Sequence, residues 1–132
     1  MGKVEELLRE ADVFLDSARD ELEVGLAKND IVRIRDSSEK AWNAVVQATN
    51  AFLLALTGKV PMSHHERRVM LRETEKSRPE VKDFGIRDRY MARFRVLHGE
   101  AFYEGVIDIE ELKLEMEKAE EYIKNIKSMI LR

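Results

Sequence analysis

Apolar residues near the end of the chain recur at alternating intervals of three and four, the spacing of one face of an α-helix. They are Ile109, Leu112, Met116, Ala119, Ile123, Ile126 and Ile130. Asp108 precedes this run and Glu111 follows Asp108 by three positions, a pattern typical of a helix N-terminal capping box. The opposite face is mostly Glu and Lys. The pattern therefore predicts an amphipathic helix that packs against other helices through a single apolar face.

The rest of the chain is also rich in helix-forming residues, with only two prolines and six glycines among 132 residues. Gly58 and Gly105 mark helix ends, and Ser63 with Glu66 forms a second capping box. Further helices are predicted over residues 3–27, 31–57, 63–76 and 85–105. We therefore predict an all-α fold that forms a single helical domain over residues 1–132. It is an antiparallel up-down four-helix bundle, with a short extra helix between the second and the fourth helix.

The predicted second helix is apolar or small at almost every position from residue 41 to 56. Its polar exceptions, Asn43, Gln47 and Asn50, lie at i, i+4 and i+7 and form a narrow seam. Because buried amides need hydrogen-bond partners, this seam either specifies helix register or faces a second copy. The helix is apolar on more sides than a small monomer is expected to cover. We therefore expect a homodimer.

One segment of the chain is basic, although the whole chain carries a formal net charge of −3. Residues 59–98 hold eleven Lys and Arg, six Asp and Glu, and all three histidines, which gives a local net charge of +5. A local excess of positive charge favours the binding of an anion such as nucleic acid. The predicted nucleic-acid contacts are Arg67, Arg68, Arg72, Arg87, Arg89 and Arg95. The alternative interpretation is a solvated surface of mixed charge.

Several classes of site are disfavoured. The chain has no cysteine, which excludes disulfides, thiol nucleophiles and cysteine-bound zinc. It has no glycine-rich nucleotide loop, serine elbow or Glu-x-x-His ligand pair, so we expect neither a cofactor nor a metal. Residues 41–56 are too short and too polar to span a bilayer, and the start does not resemble a signal peptide, so we expect a cytoplasmic protein. The 37% of charged residues and the single glutamine favour a thermophilic source.

A short motif inside the basic segment resembles a known family. Residues 93–98 read RFRVLH, so that four residues separate Arg93 from His98, and the helix capped by Asp108 follows ten residues later. This order resembles HEPN domains, small helical bundles of prokaryotic defence and RNA-processing proteins, whose signature is Arg, four to six residues, then His. Residues 97–105, LHGEAFYEG, and residues 41–48, AWNAVVQA, are also similar to the archaeal PaREP group, which has HEPN-like bundles.

The resemblance implies a homodimer in which the motifs of two copies line one cleft. Active HEPN ribonucleases need no metal: the histidine exchanges a proton with a ribose hydroxyl or leaving oxygen, and the arginine stabilises charge on the phosphorane. Carried over to this chain, His98 is the acid–base group. Arg93 is the phosphate clamp, because the guanidinium fork matches two phosphate oxygens.

This chain departs from the active members in ways that leave two functions open. Phe94 follows the arginine where many members have a polar residue, and Glu100 stands where many have a tyrosine. Residues five apart on an unbroken α-helix also point about 140° apart, so Arg93 and His98 converge only through a kink near Gly99 or between subunits. One function is a dimeric module that binds nucleotide, RNA or a partner such as a nucleotidyltransferase, without catalysis. The other is a metal-independent endoribonuclease.

Overall fold

The computed structural model describes residues 2–131, and all the regular elements in that range are helical. The all-α prediction is therefore confirmed. We number six α-helices in chain order and call the π-helical stretch between the fifth and the sixth the π segment. The elements are α1 (Gly2–Ala27), α2 (Ile31–Thr57), α3 (His64–Ser77), α4 (Pro79–Asp83), α5 (Ile86–Arg93), the π segment (Phe94–Tyr103) and α6 (Ile109–Ile130).

The first two helices form an antiparallel pair. Asn29 adopts a left-handed conformation in the turn after α1, and the Asp30 carboxylate caps α2 by accepting a hydrogen bond from the Arg33 backbone N–H. Lys40 of α2 binds Glu21 of α1 at 2.9 Å. Further along α2, Gln47 donates to Glu10 of α1. Because later residues of α2 meet earlier residues of α1, the two helices run in opposite directions.

The last helix packs against both α1 and α2. Lys127 donates to the Asp12 carboxylate at 2.7 Å, and Arg19 of α1 pairs with Glu120. The buried Tyr122 hydroxyl lies 2.6 Å from the Thr49 hydroxyl of α2. Desolvation by burial raises the pKa of Tyr122, and the phenol therefore stays neutral in the core. Asp108 caps α6 by accepting from the Glu111 backbone N–H, as the capping-box pattern predicts.

The central helix is α2, which contacts α1, α3, α5, the π segment and α6. Its fully buried residues include Ala41, Ala44, Val45, Ala48 and Phe52. Small side chains on several sides allow neighbouring helices to approach closely. The apolar sides of α2, on which we based the expectation of a dimer, are therefore covered by the same chain.

The basic middle of the chain differs from the prediction of one short helix followed by one α-helix over residues 85–105. Two short helices, α3 and α4, meet at Arg78, because Pro79 disfavours a helical conformation in the preceding residue. The predicted fourth helix begins near Gly85 as expected, but changes after Arg93 into the π segment. No helix within residues 2–131 is long and apolar enough to cross a membrane.

An arginine from α2 secures the end of the π segment. The Arg35 guanidinium donates to the Phe102 carbonyl at 2.6 Å and to the Tyr103 carbonyl at 3.3 Å. These carbonyls lie in the last turn, where intrahelical donors run out. The chain then turns at Gly105, whose φ of 72° lies in the left-handed region. A Cβ at Gly105 would also lie 3.2 Å from the Arg35 Cζ atom, so this close approach favours glycine.

Candidate functional site

Arg93, the predicted phosphate clamp, is buried at the end of α5. Its Nε donates to Glu115 Oε1 at 2.7 Å and its Nη2 donates to Glu115 Oε2 at 3.3 Å. Both side chains are almost entirely shielded from solvent. Lys118, one turn further along α6, lies 3.9 Å from the same carboxylate. A carboxylate therefore already occupies the guanidinium fork that the resemblance to HEPN domains would assign to phosphate.

The burial of Arg93 follows from its position on α5. Tyr90, Arg93 and Leu97 are all buried and are separated by three and four residues, so Arg93 occupies one position of the buried stripe. Glu115 likewise falls three residues after Leu112 and four before Ala119, inside the apolar face of α6. Charges on buried faces require partners. This pair was not predicted from the sequence, although both charges lie at the spacing of the apolar stripes.

His98, the predicted acid–base group, lies on the π segment and faces α2. Its Nδ1 lies 2.7 Å and 3.1 Å from the two carboxylate oxygens of Glu39. Since a carboxylate only accepts, the imidazole Nδ1–H is the donor. About a third of the His98 side chain is exposed. Arg93 is thus bound to α6 and His98 to α2, and within one chain the structure does not bring the two groups together.

Four rings form a column beside α2. The ring centroids of His64 and Phe94 are 4.0 Å apart, those of Phe94 and His98 are 5.5 Å apart, and those of His98 and Phe102 are 6.1 Å apart. Neighbouring planes differ by 22° to 29°. Trp42 of α2 packs against the side of this column. The four-residue spacing of Phe94, His98 and Phe102 hinted at such a row, but His64 arrives from another helix and no local pattern indicated it.

His64 ends a chain of hydrogen bonds that starts on α1. The Gln47 side chain donates to Glu10 and accepts from the Asn50 side chain. The side-chain oxygen Oδ1 of Asn50 accepts from Arg67 at 3.0 Å. Arg67 also donates to the Tyr90 hydroxyl at 3.4 Å, and that hydroxyl lies 2.6 Å from His64 Nδ1. The polar seam of α2 is therefore satisfied within the chain through Gln47 and Asn50.

The surroundings of His64 favour its neutral form. Because Arg67 can only donate, the Tyr90 hydroxyl accepts from Arg67, and the donor in its second bond, to His64 Nδ1, depends on whether the imidazole proton is on Nδ1 or on Nε2. This Nε2 is buried and has no hydrogen-bond partner among residues 2–131. Burial, followed by the nearby charges of Arg68 and Arg67, lowers the pKa of His64 to about 4. Burial in the same cluster raises the pKa of Tyr90.

The predicted nucleic-acid contacts divide into internal and external groups. Arg67 is used in the hydrogen-bond chain of His64, and Arg89 lies over the Tyr122 ring, where burial lowers its pKa. The Nε of Arg87 is buried without a hydrogen-bond partner among the described residues, and its backbone N–H donates to Glu75. Arg68, Arg72 and Arg95 lie at the surface, where their partners are His65, Glu73 and Glu100 respectively.

Residues 2–131 contain no group of three or more His, Asp and Glu side chains that could hold a metal ion. The fold and the site define an all-helical protein in which the Arg–His motif is divided between two internal carboxylate contacts. The sequence model of the archaeal PaREP1/PaREP8 family matches residues 6–123, and the chain belongs to that family. No curated protein and no solved structure is significantly similar to it.

The Arg93–Glu115 pair gives a stability prediction. Glu115→Gln leaves the Arg93 charge buried without its counter-ion, and Arg93→Met does the same to Glu115. Each change should lower the free energy of unfolding by about 3–5 kcal/mol, as measured by urea denaturation. The double variant Arg93→Met/Glu115→Leu should recover most of this loss, whereas Glu6→Gln, in an exposed pair with Lys3, should change little. Equal stability of Glu115→Gln and wild type would contradict a structural role for the pair.

The lowered pKa of His64 gives a pH prediction. In the unfolded chain His64 takes up a proton near its ordinary pKa of 6.5, whereas in the folded protein it does so only near pH 4. The unfolded state therefore binds more protons between these values. The His64 contribution to stability should be complete above pH 6.5 and should be lost as the pH falls towards 4. Imidazole NMR titration in buffer and in urea measures both values, and a folded-state midpoint near 6.5 would refute this environment.

Proposed function

We propose that this protein is a dimeric HEPN-like module that binds RNA without cleaving it, through an exposed basic row on α3. The row consists of His65, Arg68, Arg72 and Lys76. Intervals of three, four and four residues place these side chains along one face of the helix. This row is the observation that carries the proposal, because most of the other arginines predicted for RNA binding are used inside the fold.

The row is available to an anion. His65, Arg72 and Lys76 are exposed, and Arg68 is partly exposed. Glu73 is the acid beside the row, and its oxygen lies 3.2 Å from Arg72 and 3.7 Å from Lys76. Ion pairs at such exposed sites contribute little to stability, so phosphate oxygens can replace the carboxylate at small cost. An extended phosphate backbone suits a linear row better than a compact ligand does.

The packing of the helices supports a HEPN-like four-helix arrangement. In addition to the antiparallel pair α1–α2, Arg93 and Arg89 of α5 meet Glu115 and Tyr122 of α6, so later residues of one helix meet earlier residues of the other. The π segment is also antiparallel to α2, because His98 meets Glu39 and Phe102 meets Arg35. Together these pairs are consistent with an up-down-up-down order in which α5 and the π segment form the third long element.

The contacts of Arg93 and His98 favour binding over catalysis. A phosphate clamp needs an unoccupied guanidinium fork, and Glu115 fills the fork of Arg93. A general acid–base group must lie within hydrogen-bond reach of the same substrate atoms as the clamp, yet His98 is held by Glu39 on the opposite neighbour. In this chain, Arg93 joins α5 to α6, and His98 joins the π segment to α2.

Charge reversal tests the basic row. Arg68→Glu/Arg72→Glu should weaken the binding of single-stranded RNA strongly. It should also reduce the slope of log K against log salt by about 1.4, since each lost phosphate contact contributes about 0.7. Fluorescence anisotropy across a salt series measures both quantities. The matched control is Arg9→Glu/Lys113→Glu, which makes the same change in net charge on exposed residues of α1 and α6. Equal RNA affinity of wild type and Arg68→Glu/Arg72→Glu would make the row a solvated surface only.

A cleavage assay tests the ribonuclease alternative. We expect pure protein incubated with mixed RNA and a chelator to leave the RNA intact, and His98→Ala and Arg93→Lys to behave like wild type. The contrary result is cleavage that leaves cyclic phosphate ends and falls about a hundredfold to ten-thousandfold in His98→Ala, the usual effect of losing a general acid–base group. That result would replace the binding module with a metal-independent endoribonuclease.

A further inference from the structure

An open cleft of about 980 Å³ runs along the outer side of α5 and the π segment. Met91 and Phe94 form its apolar part, and Tyr103, with 77% of its surface exposed, stands at the other end. Aromatic residues, Met and Arg are the types enriched at protein–protein interfaces. A large exposed tyrosine beside an apolar cleft is therefore more consistent with a surface that contacts another protein than with one that contacts water alone.

The charges of the cleft are arranged with opposite signs at its two ends. Arg95 lies nearer the start, with 82% of its side chain exposed, and Glu100 and Glu104 lie nearer the end. Arg95 pairs with Glu100 of its own chain at 3.2 Å, whereas Glu104 has no cation within 4 Å among residues 2–131. When two copies of this segment run antiparallel about a twofold axis, the Arg95 of each copy faces the acids of the other. Such a surface is self-complementary.

The middle of the cleft permits close approach. Gly99 lines the cleft between Arg95 and Tyr103 and has no side chain to hold a partner away. A Cβ added there would meet only the Phe94 carbonyl oxygen, at 3.7 Å, which is an ordinary contact. The fold of the single chain therefore does not require glycine at this position. A backbone from a second molecule would require it.

We propose that this cleft is the homodimer interface, with Gly99 near the twofold axis. Arg95 of each copy then pairs with Glu100 and Glu104 of the other, and each Tyr103 packs over the Met91 end of the opposite cleft. The inference rests on the dimer of the proposed function and assigns its surface. The partner of the cleft is then the same cleft on a second copy, so the same charged and apolar side chains line both halves of the interface.

Three variants test this surface by analytical ultracentrifugation over a concentration series. Gly99→Gln should raise the dimer dissociation constant by roughly a hundredfold, because its side chain blocks the close approach. Arg95→Glu should raise it by roughly as much, because like charges then face each other across the interface. Adding Glu100→Arg and Glu104→Arg to Arg95→Glu restores complementarity with inverted signs and should restore the dimer. Circular dichroism should show unchanged folding throughout.

The controls separate failure of the interface from failure of the proposed function. Arg72→Glu makes the same charge reversal on α3 and should leave the dimer intact while weakening RNA binding. A wild-type dimer that Gly99→Gln and Arg95→Glu both leave intact would overturn this interface but not the dimer. A wild-type protein that is monomeric at all concentrations would overturn both the interface and the dimer of the proposed function. The RNA affinity of the α3 row would still be measured independently in the same preparation.

Discussion

The pairing of Arg93 with Glu115 joins the end of α5 to the first half of α6, and the position of the π segment depends on it. Two buried charges with no partner would be costly, whereas a carboxylate that receives two guanidinium N–H groups satisfies both sides. The pair therefore specifies one alignment of α5 against α6. It also holds the start of the π segment, because Phe94 follows Arg93 directly. Arg93 of the motif that resembles the HEPN signature is therefore shielded from solvent and takes part in the packing of α5 against α6.

The π segment then determines which rings meet beside α2. Its rings at four-residue spacing form a column with His64, and its far end is held where Arg35 binds the carbonyls of Phe102 and Tyr103. The same arrangement turns His98 towards Glu39 and leaves Arg95, Gly99 and Tyr103 on the outer side. The wider helical turns thus separate an inner face, which packs on α2, from an outer face that is open to a second molecule.

The basic segment is divided in function by burial. Arg67 and Arg93 supply hydrogen bonds to buried polar groups, and Arg89 covers the Tyr122 ring, so that these three cations stabilise the fold. Arg68 and Arg72 remain at the surface of α3, and Arg95 remains on the cleft. A local net charge of +5 therefore overstates the charge available to a ligand. The proposed RNA surface and the proposed dimer surface use different members of the same segment, so that one can be changed without the other.

The sequence by itself determined the helical class, the bounds of α1, α2 and α6, and the caps at Asp108 and Ser63, because periodicity and capping act between residues three or four apart. It also indicated the helix ends at Gly58 and Gly105. Only the tertiary structure decided which residues of the basic segment pair inside the fold, because their partners are distant in the chain: Glu115 lies 22 residues from Arg93, and Glu39 lies 59 residues from His98. The π segment likewise ends where Arg35 binds the Phe102 carbonyl, and these two residues are 67 positions apart in the chain. No local spacing encodes such contacts, since they exist only once the helices have packed.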